Sequence, residues 1–138
     1  MVVVAALALT FFYYPLAPRP QRTVEINVVA RQWYFNATIA KSDDPNARAT
    51  TILLPGSSAN TTIVVTKGDL VIIHLSSGDV THGFAIRGYP DVGPYEVTPG
   101  QTITIQFTAD QAGTFTFYCT VFCGPGHSGH EGTLIVMP

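Results

Sequence analysis

An all-β sandwich is the fold this sequence predicts, and three observations carry it. In "TVEINVVARQWYF" (23–35) Val24, Ile26 and Val28 alternate with polar or small neighbours, as a strand with one buried face requires. The later segments 61–77, 82–88, 100–119 and 132–138 are β-branched or aromatic, and each is bounded by Gly, Pro, Asp or Asn. Beyond residue 20 no stretch carries a helical period over about ten residues.

The elements follow in order. Residues 1–18, "MVVVAALALTFFYYPLAP", hold no charged side chain. Phe11, Phe12, Tyr13 and Tyr14, followed by Arg19 and Arg22, resemble an interfacial belt with a snorkelling flank. A span needs roughly 17–25 apolar residues, so the run predicts a short membrane anchor, with an N-terminal strand as the alternative. A signal peptide would need a basic start and a small-residue cleavage site, and both are missing. Residues 23–35 then form one strand. Residues 36–60, rich in turn formers and with Pro45 and Pro55, form a long connection with one short strand. Turns at Lys67-Gly68-Asp69 and Pro99-Gly100 punctuate the rest. Seven or so short antiparallel strands at this spacing predict a Greek-key β-sandwich or barrel.

At 138 residues this is one domain, long enough to bury a core without disulfide help. A net charge of −2 with 12% charged residues excludes a nucleic-acid partner. Low charge and net hydrophobicity point instead to a protein partly embedded in a membrane or covered by a partner.

The chemistry concentrates in "CTVFCGPGHSGHEG" (119–132), which holds both cysteines and two of the four histidines. Cys119, Cys123, His127 and His130 admit three readings: a disulfide, a tetrahedral zinc site, or a copper site. A disulfide across so small a loop removes little unfolded-state entropy. The four-residue set is compressed for structural zinc, and a sandwich of this size has no folding need for a metal. His82, between "SSGDVT" and "GFAI", stands in a loop at the mouth of a strand and supplies the remote imidazole that a copper site calls for. His74 lies within the alternation of "VIIHLSS" and reads as structural.

"DVTHGFAI" and "FYCTVFCGPGHSGHEGTLIV" resemble subunit II of haem-copper respiratory oxidases, the subunit that carries the dinuclear CuA centre. The family's loop runs Cys-x3-Cys-x3-His-x2-Met, with an earlier histidine in a D-V-x-H context. "RQWYF" (31–35) resembles its Q-W-Y-aromatic strand. The resemblance covers about residues 23–138. It implies a membrane anchor at 1–18 and a cupredoxin-like CuA domain at 19–138. It also implies two copper ions bridged by Cys119 and Cys123, capped by His82 and His127, with the Val121 backbone carbonyl as a weak ligand. Trp33 would be the residue through which electrons enter. Two thiolates offset most of the charge of a mixed-valence copper pair, which makes its burial tolerable.

The implied role is an electron carrier within a terminal oxidase complex. It would take electrons from cytochrome c or a small copper protein on the extracytoplasmic side and pass them to haem in subunit I. Two positions depart from the pattern. His130 stands where the family has its methionine ligand, and an imidazole there predicts a lowered potential and uneven sharing of the electron. Val121 replaces a glutamate that reaches magnesium in many members, so that site is not carried over. Asp79, Asp91, Glu96 and Glu131 are the sparse acidic candidates for docking a basic donor. The rivals are a mononuclear copper protein, a structural zinc module with no redox role, and the equivalent domain of a nitric or nitrous oxide reductase.

Overall fold

The computed structural model describes residues 18–89 and 91–138. The run read as a membrane anchor lies outside the described residues, Pro18 excepted; among those described, no helix is long and apolar enough to cross a membrane. Ten strands follow: β1 (Thr23–Arg31), β2 (Tyr34–Ser42), β3 (Arg48–Leu54), β4 (Ser58–Thr66), β5 (Leu70–Ser77), β6 (His82–Ile86), β7 (Tyr95–Val97), β8 (Thr102–Thr108), β9 (Gly113–Tyr118) and β10 (Glu131–Met137). They form a four-stranded sheet in the order β2-β1-β5-β8 and a six-stranded sheet in the order β3-β4-β10-β9-β6-β7.

The all-β sandwich is as expected, but three details change. Residues 23–35 are not one strand, because the chain reverses at Gln32–Trp33 and β2 pairs back on β1. The phase of burial shows why: Val24, Ile26, Val28 and Ala30 point inward at even positions, whereas Phe35 and Ala37 do so at odd ones. A straight strand would put these sets on opposite faces. The presumed connection 36–60 contains most of β2, all of β3 and the start of β4. β3 buries none of its residues fully, so its alternation is faint. Finally, the strands are not all antiparallel: β1 pairs parallel with β5, and β4 with β10, because the chain crosses between sheets before returning.

The core lies between the sheets. Val24, Ile26 and Val28 sit level with Val71, Ile73 and Leu75 across the β1–β5 pair, all buried. Ile63, Val65, Leu134 and Val136 of the second sheet complete the layer. His74 lies half-buried between inward-facing neighbours, with Nδ1 3.3 Å from Thr104 Oγ1, in keeping with a structural role.

Where β1 and β5 begin, Arg22 bridges two buried carboxylates, with Nε 3.2 Å from Asp69 and Nη1 3.6 Å from Asp44. Burial, with Asp44 close by, raises the Asp69 carboxyl above its usual range. Burial also opposes ionisation of Asp44, but hydrogen bonds from Asn46 N–H and Thr66 Oγ1 outweigh it and hold that carboxyl low. Arg22→Met leaves this pair uncompensated and is expected to cost about 1–3 kcal/mol at neutral pH, discounted for the part-exposed guanidinium. Without Arg22 the folded-state carboxyl pKa rises further, so the native state takes up protons more readily than the unfolded chain. The loss should therefore shrink as pH falls through the carboxylate range, which denaturant titrations at several pH values would reveal.

Candidate metal centre

Neighbouring strands bring the predicted ligands together at one end of the sandwich. Cys119 follows β9 and His130 precedes β10, and these strands pair with Tyr118 opposite Glu131. The Cys119 N–H donates to the His130 carbonyl at 3.0 Å, so the loop closes where the ladder ends. His82 opens β6, which pairs with β9 on its other side. Three remote positions thus meet through sheet order alone.

The donor atoms of His82, Cys119, Cys123 and His130 all lie within 4.8 Å of one another, and all four residues are buried. The two Sγ atoms are 3.5 Å apart and the two cysteines are unbonded in this structure. His82 Nδ1 is 3.9 Å from Cys119 Sγ, and His130 Nδ1 is 3.4 Å from Cys123 Sγ. Metal–donor bonds of about 2.0–2.3 Å at tetrahedral angles imply donor–donor edges of roughly 3.3–3.8 Å. The spacing therefore fits a metal ion among these atoms. His127 stands outside this tight group, on a 3₁₀ turn (His127–Gly129), with Nδ1 3.5 Å from Cys123 Sγ. The Val121 carbonyl oxygen is 3.1 Å from Cys119 Sγ.

The surroundings are apolar. Phe35, Phe84 and Phe117 meet edge-on or stacked beneath the site at 5.4–5.7 Å between centroids. Phe35 lies 4.2 Å from the His130 ring. Burial, aided by Cys119, pushes the Cys123 thiol up to about 12, so metal binding must displace a proton there. Burial, with His82 nearby, pushes His130 down to about 4, which leaves its ring neutral and able to ligate at pH 7. Its Nε2 is buried without a hydrogen-bond partner.

A second layer orients these donors. Asp79 Oδ1 lies 2.6 Å from His82 Nε2, so the other ring nitrogen, Nδ1, is free to face the sulfurs. Burial opposes ionisation of Asp79, but hydrogen bonds from Gln32 N–H, His82 and Val80 N–H hold its carboxyl below the usual range. Asp79 is thus a partner of His82 rather than a free docking charge. Of the other acidic candidates, Glu131 lies 4.0 Å from Arg87, and Asp91 and Glu96 are exposed. Trp33 is half-buried and its indole N–H donates to the Cys123 carbonyl at 3.1 Å. A Cβ on Gly126 would come within 2.5 Å of Trp33 Cγ, so glycine is what lets the indole lie against the loop.

The roles of several of these residues escape a reading of the sequence alone, in which Asp79 figures only as a docking candidate. Gln32 precedes the tryptophan that drew attention, and Asp79 stands three residues before His82, a spacing that suits a turn-bound carboxylate. Gly83 is the third. Its N–H donates to Cys119 Sγ at 3.4 Å, and a Cβ there would come 2.7 Å from the backbone nitrogens of Thr120 and Val121 and strike the Thr120 hydroxyl. Gly83→Ala is expected to displace the cysteine loop and destabilise the domain by about 1–3 kcal/mol. Thermal unfolding of the metal-free protein and metal uptake would both register it.

Comparison with known proteins gives the family. The sequence model of the family "Cytochrome C oxidase subunit II, periplasmic domain" matches residues 24–136. Cytochrome c oxidase subunit 2 of Thermus thermophilus is 34% identical over 74 residues, covering 54% of this chain and 53% of the relative. The chain thus spans about half the length of that relative. Nitrous-oxide reductase of Ralstonia nicotianae is 40% identical over 74 residues, covering 51% of this chain and 11% of the relative. In fold, the periplasmic domain of cytochrome oxidase subunit II (CoxB) of Bradyrhizobium japonicum aligns with a TM-score of 0.67 at 20% identity, over 86% of each chain. Its fold is cupredoxin-like, and the chain belongs to the family of cytochrome c oxidase subunit II periplasmic domains.

Proposed function

We propose that this domain holds a dinuclear copper centre and serves as the electron-accepting part of a haem-copper oxidase's second subunit. One observation carries the reading: the donors exceed what a single ion can use. Around two shared sulfurs lie His82 and His130, their rings 5.0 Å apart. His127 and the Val121 carbonyl each approach one sulfur, at 3.5 and 3.1 Å. Two ions would be held by these six donors: the Cys119 and Cys123 thiolates, the His82, His127 and His130 imidazoles and the Val121 carbonyl. Soft thiolates with imidazoles are a donor set that copper favours.

When bound, the copper pair would take up and release one electron with little change in geometry. The chain's own residues do the rest. The aromatic floor excludes water, Asp79 fixes the His82 ring, and Gly83 N–H stabilises charge on Cys119. Trp33, bonded to Cys123 through its carbonyl, would be the surface through which electrons enter. On the same cysteine loop Phe122 is 77% exposed, its ring 5.7 Å from that of His127, so a cytochrome c or small copper protein would dock mainly on apolar contact. Electrons would leave for haem in subunit I, with the domain held on the extracytoplasmic side by an anchor at residues 1–18. The match to a nitrous-oxide reductase supports a second reading, in which the same centre feeds a different acceptor. Copper-free protein, reduced and reconstituted, tests the core of the proposal. Two coppers per chain with strong visible absorption are expected. A colourless zinc protein, or a single copper, would contradict it.

A further inference from the structure

We infer that Gln32 is a positioning residue of the metal centre: its side chain holds the cysteine loop, and its main chain joins that contact to the loop carrying His82. The inference rests on the copper reading for its consequences, but its geometry needs no metal. The Gln32 side-chain amide donates to the Cys123 carbonyl at 2.9 Å, and its main-chain N–H donates to Asp79 Oδ2 at 2.8 Å. The other oxygen of Asp79 bonds His82 Nε2 and accepts the Val80 N–H at 2.7 Å. From one residue, a single hydrogen bond leads to a bridging sulfur's backbone and two lead to an imidazole.

Cys123 needs this tie in a way that Cys119 does not. Cys119 is anchored by its own N–H on the His130 carbonyl, where the β9–β10 ladder ends. Cys123 lies in irregular chain between that ladder and the 3₁₀ turn, and no strand pairing fixes its orientation. Its carbonyl accepts from both Gln32 and Trp33, which occupies both lone pairs and stops the peptide from rotating. Outer partners of this kind commonly govern metal affinity by about 10–100-fold.

The test compares the wild-type domain with Gln32→Leu, which removes the donor, and Gln32→Glu, which sets a carboxylate against the Cys123 carbonyl. Both variants should release copper to a chelator at least about tenfold faster, with shifted visible bands and altered copper hyperfine splitting. In the metal-free, reduced protein, alkylation of Cys123 relative to Cys119 should rise several-fold. A role confined to fold stability would lower the melting temperature and leave spectrum, release rate and alkylation ratio unchanged; that result would overturn the inference. If the wild type itself takes up no copper, the copper reading fails, and the alkylation ratio alone decides the role of Gln32.

Discussion

Cys123→Ser is expected to lower the copper content from the proposed two ions per chain to one or none and to abolish the visible absorption that the proposed pair would give. A bridge needs a donor with charge and lone pairs for both ions, and a serine hydroxyl stays protonated at neutral pH. It is also a hard oxygen where a soft donor is required. The Cys123 sulfur stands 3.5 Å from Cys119 Sγ, 3.5 Å from His127 Nδ1 and 3.4 Å from His130 Nδ1. It is thus within reach of terminal donors on both sides. The substitution is nearly isosteric, so the metal-free fold should survive, and unfolding curves would separate a lost site from a lost domain. Retention of two coppers with an unchanged spectrum would show that Cys123 is no bridge.

His130→Met should raise the reduction potential and even out the distribution of the electron between the coppers. The ring is 1% exposed, neutral at pH 7, and turns Nδ1 toward Cys123 Sγ. A thioether is a softer donor than imidazole and favours the reduced ion. The potential rises by about 60 mV for each tenfold gain in that preference. The metal-free protein should not suffer, because methionine fills the apolar pocket against Phe35 and removes an unpartnered Nε2 whose burial costs about 1–3 kcal/mol. Protein-film voltammetry on both forms reads the shift; identical potentials and spectra would show that His130 does not bind the metal.

Much of this site is legible in sequence because its chemistry is local. Four donors lie within fourteen residues, and His82 sits at the start of a strand whose place in the sheet brings it to them. The supporting residues are less legible, since their roles exist only across the fold. Gln32 acts on Cys123 across ninety-one positions, and Gly83 matters because the Thr120–Val121 backbone passes over it. The same distinction applies to the fold. Strands with a fully buried face, such as β1 and β5, declare themselves by alternation. β3, an edge strand with no fully buried residue, merges with the turns around it. The break at Gln32–Trp33 is visible in retrospect as a shift of burial phase between Ala30 and Phe35. That turn also places both residues over the cysteine loop.

The most direct test of the central claim is electron paramagnetic resonance of the copper-loaded domain with one electron on the pair. Two sulfur bridges shared by two ions predict hyperfine splitting from both copper nuclei, made unequal by His130 on one of them. Splitting from a single copper nucleus, or no signal in a colourless zinc-containing protein, would contradict the account.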